Sequence, residues 1–206
     1  MELQHLLSGF DFNKRQTIMS PPVKILGIAG SLRQQSFNRA ALRAAQTNVP
    51  AGVILTTFEL DDIPLFNQDK EKELPLAVAQ MKQAIREADA ILFATAEYNY
   101  SISGVLKNAI DWASRPFGES AWKGKPAAIM GASPGLFGSA RAQYHLRQVL
   151  VGLGMPTVNQ PEIMIGSASE RFDANGVLTD EKTNALIGKL LTSLVTLTLQ
   201  LKATTS

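Results

Sequence analysis

Cysteine is absent from the 206 residues, and that gap removes disulfides, thiol nucleophiles, thiolate zinc sites and iron–sulfur ligation together. Histidine is nearly as scarce. His5 and His145 stand far apart in the chain, so an imidazole metal site is not expected. Redox chemistry in such a chain has to come from a borrowed cofactor. No apolar run of membrane length is free of charge or turn residues, which predicts no membrane span. The opening residues, interrupted by Glu2 and Asp11, lack the basic start and continuous apolar run of a signal peptide. A cytoplasmic location is the expectation.

Hydrophobic residues make up 45% of the chain and charged residues 18%, enough apolar surface for a core and too little charge for disorder. The net charge is only +2, yet its distribution is segregated. No acid falls between Asp11 and Glu59, where Lys14, Arg15, Lys24, Arg33, Arg39 and Arg43 lie. None falls between Glu119 and Glu162, which enclose Lys123, Lys125, Arg141 and Arg147. Without a long run of Lys or Arg, this pattern suits a local anionic ligand rather than a nucleic acid.

Residues 1–22 show no clean period and end in Ser20-Pro21-Pro22, which predicts a mobile N-terminal tail. Residues 23–206 form the domain. Short apolar or β-branched runs at 23–29, 53–60, 90–95, 127–132 and 157–165 predict five buried strands. Between and after them, helical spacing covers 36–48, 75–88, 104–114, 139–153 and 180–202. Regular alternation of this kind specifies an α/β fold, a five-stranded parallel sheet with helices on both faces in three α/β/α layers. Ligands bind such sheets at the carboxyl ends of the strands. Three loops therefore matter: 30–38, 96–104 and 133–138.

The first reads Gly30-Ser31-Leu32-Arg33-Gln34-Gln35-Ser36-Phe37-Asn38. It lacks the P-loop and the full dinucleotide fingerprint. Two hydroxyls, an amide and a guanidinium around a positive helix end make it a phosphate-monoester site. The second, Ala96-Glu97-Tyr98-Asn99-Tyr100-Ser101, holds two of the three tyrosines and suits one wall for a flat heterocycle. In the third, Ser133-Pro134-Gly135-Leu136-Phe137-Gly138, the glycines permit close backbone approach.

Taken with Gly104-Val105-Leu106-Lys107-Asn108-Ala109-Ile110-Asp111-Trp112, Gly131-Ala132-Ser133, Ala140–Arg147 and Pro161-Glu162, these loops resemble the NADPH-dependent FMN reductase family, and within it the quinone- and chromate-reducing branch. The likeness covers about 23–166. It implies a flavodoxin-like fold, non-covalent FMN and NADPH or NADH as co-substrate. The implied activity passes a hydride from NAD(P)H by way of bound FMN to quinones or similar acceptors, chromate and azo compounds among them. The flavin carries the hydride, so no catalytic side chain is expected. By the resemblance Ser31, Arg33, Ser36, Phe37 and Asn38 hold the FMN phosphate. Glu97, Tyr98, Asn99 and Tyr100 line the isoalloxazine ring, and Ser133 and Gly135 complete the pocket. Ala96 and Ser103 stand where members commonly have proline, so a looser second loop is expected.

Further expectations attach to the helix at 139–153. Its opening at Ser139 is expected to offer N–H groups to the N1 and O2 edge of the flavin. Arg141, Tyr144 and Gln148 share one face, and with Glu162 as partner of Arg141 they suggest a contact between subunits of a homodimer or homotetramer. Lys123, Lys125 and Arg141 are candidate cations for the 2′-phosphate of NADPH. Competing readings are a flavin reductase serving a partner monooxygenase, a flavodoxin-type electron carrier and a flavin-binding sensor. Carriers of that type tend to be acidic, whereas this chain has a pI near 8.9.

Overall fold

The computed structural model describes residues 21–205. The expected tail therefore lies outside the described residues, apart from the exposed Pro21 and Pro22. In chain order the elements are β1 (Val23–Ala29), α1 (Phe37–Thr47), β2 (Val53–Phe58), α2 (Leu76–Glu87), β3 (Ala90–Ala94), β4 (Glu97–Tyr98), β5 (Ser101–Ile102), α3 (Gly104–Ser114), β6 (Ala127–Ala132), α4 (Ala140–Gly152), β7 (Ile163–Ile165), α5 (Ala168–Arg171) and α6 (Glu181–Thr205). Five of the strands form one sheet in the order β2-β1-β3-β6-β7, and every neighbouring pair is parallel. This is the flavodoxin-like order, whose switch point falls between β1 and β3.

Successive residues of a strand face opposite sides of the sheet, and both sides here are apolar. Ile25, Leu92 and Met130 face α1 and α6 in one buried cluster. Leu26, Ile28, Ile91, Phe93 and Ile129 face α2, α3 and α4 in the other. The two tryptophans are fully buried in this second layer, and each indole N–H finds a carbonyl. Trp112 donates to Pro64 at 2.8 Å and Trp122 to Ile110 at 3.0 Å, which removes the penalty of burying the donor.

Two expectations needed correction, and one helix calls for comment. The strand expected over 157–165 is only Ile163–Ile165, with an isolated bridge at Thr157, because Pro161 between them has no N–H for the ladder. The segment expected as a loop at 96–103 contains the antiparallel hairpin β4–β5. The helix α6 is long enough, and over its most apolar 18 residues hydropathic enough at a mean of 1.3, to cross a membrane by length and composition alone. Its Ile187, Leu190, Leu191 and Leu194 are instead buried on the sheet.

Candidate functional site

The loops after β1, β3 and β6 converge at the carboxyl end of the sheet. They enclose a cleft of about 200 Å³ lined by Ser31, Arg33, Ser36, Phe37, Asn38, Ala96, Glu97, Tyr98, Ala132, Ser133 and Pro134. Eight of the eleven expected site residues are in that lining. Asn99, Tyr100 and Gly135 are not. Ala96, Ala132 and Pro134 join it without having been expected. Small apolar residues carry no chemical signature in sequence.

The first loop is shaped by Ser36, the N-cap of α1, whose hydroxyl accepts from the N–H groups of Asn38 and Arg39 at 3.2 and 3.4 Å. Among the described residues, the N–H groups of Leu32, Gln34, Gln35 and Phe37 donate to no protein acceptor. Arg33 has no carboxylate partner there either, whereas Arg39 is paired with Glu59 and Asp61. Free N–H donors, two hydroxyls and an unpaired guanidinium at the positive end of a helix are the donor set a phosphate monoester requires. The residues present therefore fit the phosphate of FMN.

Asn38 belongs to this region in a different capacity from the one expected. It is buried, its side-chain amide donates to the Ala132 carbonyl at 3.0 Å, and its amide oxygen accepts from the Ala132 N–H at 2.9 Å. Rather than holding phosphate, the side chain braces α1 against the end of β6. Replacement by alanine leaves both Ala132 groups unpaired, so Asn38→Ala is expected to cost about 2 kcal/mol. Urea unfolding measures it, and a loss under about 0.5 kcal/mol would remove the brace from the account.

The second loop turns at Asn99 and Tyr100, both with positive φ, 49° and 67°. Such a pair matches the tight turn that fits the twist of a two-stranded hairpin, although for tyrosine the conformation is uncommon. The hairpin is held from outside. Glu97 pairs with the Arg141 guanidinium at 2.5 Å, and its second oxygen accepts from the N–H groups of Arg141 and Ala142 at 3.1 and 3.3 Å. The Arg141 guanidinium in turn lies 3.9 Å from the ring centre of Tyr100 and 4.9 Å from that of Phe137. Ser103 caps α3 by accepting from Leu106 N–H at 3.3 Å, and Ser101 meets His145 Nδ1 at 3.0 Å. With Ala96 and Ser103 in place of prolines, capping and ion pairing fix the segment that was expected to be looser.

These contacts revise three expectations around α4. The first four N–H groups of the helix are engaged within the protein: Ala140 N–H donates to Phe137, Arg141 and Ala142 to Glu97, and Gln143 to Ser139. The partner of Arg141 is Glu97, while Glu162 accepts from the Tyr144 hydroxyl at 3.3 Å. The expected 2′-phosphate cations are also otherwise placed. Lys125 donates to the Arg86 and Ala88 carbonyls, and burial lowers its pKa. It and Lys123 precede β6, at the opposite end of the sheet from the cleft.

The third loop returns to the sheet through Gly138, whose φ is +53° and whose missing Cβ leaves the backbone of Met164 and Ile165 in close contact. Ser133 accepts from Gly135 N–H at 3.1 Å and is fixed to Ile165 and Ala168 through its own backbone.

A parallel sheet in the 2-1-3-6-7 order with a phosphate-type loop at its switch point defines a flavodoxin-like mononucleotide-binding protein. Residues 23–170 match the NADPH-dependent FMN reductase family, and the chain belongs to it. The NAD(P)H-dependent FMN reductase of Pseudomonas aeruginosa is 55% identical over 177 residues, covering 85% of this chain and 95% of that protein. The NADPH:quinone oxidoreductase of Arabidopsis thaliana is 42% identical over 194 residues, covering 90% and 97%. Among solved structures, the flavoenzyme NAD(P)H:(acceptor) oxidoreductase of Paracoccus denitrificans superposes with a TM-score of 0.80 at 36% identity, covering 86% and 98% of the two chains.

Proposed function

We propose that this chain is an FMN-dependent NAD(P)H:quinone oxidoreductase, with the balance NAD(P)H + H⁺ + quinone → NAD(P)⁺ + hydroquinone. The observation that carries it is the set of N–H groups without an acceptor, beside an Arg33 without a carboxylate partner, among the described residues at the cleft and switch point. FMN, when bound, supplies the two-electron chemistry that no side chain here can. Ser31, Arg33, Ser36 and the α1 N-terminus hold its phosphate. Tyr98, Ala96, Ser133 and Pro134 offer the walls that receive the ring. Glu97 acts at one remove, keeping the hairpin and α4 in register. The relatives named quinone reductase in Pseudomonas putida and NADPH:quinone oxidoreductase in Arabidopsis thaliana support the choice of acceptor.

A homodimer or homotetramer goes with this reading, and so does a cytoplasmic location. The cleft of about 200 Å³ is below the ~300–1,000 Å³ of ordinary ligand pockets, which suits a half-site closed by a second subunit. The exposed Tyr100, Phe137 and Tyr144, with Arg141 between the first two, have the aromatic and arginine composition of an interface. Glu162 sits beside them through Tyr144.

The test is the absorbance spectrum of the purified protein. Flavin absorbance that bleaches on anaerobic NADPH and returns with a quinone is the expected result. A protein that is colourless and takes up no added FMN would overturn the proposal.

A further inference from the structure

Beside the phosphate loop, on the outer flank of α1, lies a second pocket of about 390 Å³. It shares Arg33, Ser36 and Phe37 with the cleft, so the two adjoin at the phosphate end. Its far wall is the loop after α5. Arg43, on α1, enters from the other side. Among the described residues Arg43 has neither a carboxylate partner nor a hydrogen-bond acceptor, although Arg39, one turn earlier, has two carboxylates.

Among the described residues that line it the one acid is Asp173, and one of its oxygens already accepts from Asn175 and Val177 N–H at 2.9 and 2.8 Å. Two guanidiniums thus share the lining with one carboxylate, of which one oxygen is already taken. Gly176 makes room for this arrangement: at φ +73°, a Cβ there would come within 2.6 Å of Arg43 Nη2. The guanidinium lies close against this glycine and, among the described residues, meets no acceptor.

We infer that this pocket receives the 2′-phosphate of NADPH, with Arg43 as the residue that distinguishes NADPH from NADH. The inference rests on the proposed function. NADPH and NADH differ only by one phosphate monoester on the adenosine ribose. A guanidinium reads that group through paired charge-assisted hydrogen bonds, and NADH offers it nothing. With the nicotinamide at the ring end of the cleft, the adenosine is the distant end of the molecule. The adjoining pocket, on the far side of Ser36 and Phe37, holds Arg43.

The experiment is calorimetric titration of the FMN-loaded protein with 2′,5′-ADP and with 5′-ADP, for the natural chain, Arg43→Gln and Arg43→Lys. The natural chain should bind 2′,5′-ADP the more tightly, by roughly tenfold. Arg43→Gln should abolish that difference without changing FMN affinity, and Arg43→Lys should restore part of it. Equal binding of the two nucleotides to the natural chain overturns the inference, as does an undiminished preference in Arg43→Gln. Displacement of 2′,5′-ADP by inorganic phosphate at equal concentration reduces the pocket to a general anion patch and overturns it as well. A protein that holds FMN and is bleached by NADH, yet gives any of these results, leaves the proposed function standing. Failure to bind FMN brings down both.

Discussion

Gly138→Ala is expected to lower stability by about 3–5 kcal/mol, combining a left-handed backbone with a clash that has nowhere to relax. The added Cβ would lie 2.5 Å from the carbonyl carbon of Met164 and 2.6 and 2.7 Å from the nitrogens of Ile165 and Gly166. These are backbone atoms at the end of β7, not the tip of a mobile side chain. The same junction is tied by Gln143, whose amide donates to Gly138 at 3.3 Å and to Ile163 at 2.9 Å. A domain stabilised by roughly 5–15 kcal/mol loses much of its margin to such a change. Urea unfolding measures the loss. Gly152→Ala, where nothing lies within 4 Å of the new methyl group, is the neutral control. Indistinguishable midpoints for the two variants would refute the close-contact account of the third loop.

Arg33→Ala is expected to weaken FMN binding by about one to two decades, the worth of a charge-assisted bond to phosphate. Arg33 is exposed and has no ion pair among the described residues, so the fold should be unaffected. Fluorescence titration of the apoprotein gives the affinity. Riboflavin separates the phosphate from the ring: lacking the phosphate, it should bind the variant and the natural chain alike. A change that is equal for FMN and riboflavin places Arg33 near the ring, and unchanged FMN affinity removes it from the site. Added salt should narrow the FMN difference, since Arg33 is open to solvent.

The sheet, its helices and the first loop were legible because their signals are local. A run such as Val23–Ala29 followed by Gly30 and a capping Ser36 contains its own instructions. What escaped are pairings across the chain. Asn38 reads as a phosphate ligand until its partner, Ala132, is seen 94 positions away. Glu97 and Arg141 lie 44 positions apart, and nothing adjacent to either favours that pair over Arg141 and Glu162. The β4–β5 turn was missed because Asn99-Tyr100 lacks the glycine that usually marks two consecutive positive φ angles. Arg43 was visible only as one of several basics in an acid-free stretch; the loop that makes a pocket of it arrives more than 120 residues later.

Asn38 links the first loop to the third, and Glu97 links the second to the helix that follows the third. The three loops are thus cross-braced by polar contacts that the protein makes with itself. Their conformational entropy is surrendered when the chain folds, not when a ligand arrives. Contacts made in the cleft then reach the binding affinity with little deduction for ordering the backbone, and a single severed brace would return that deduction without touching any ligand atom.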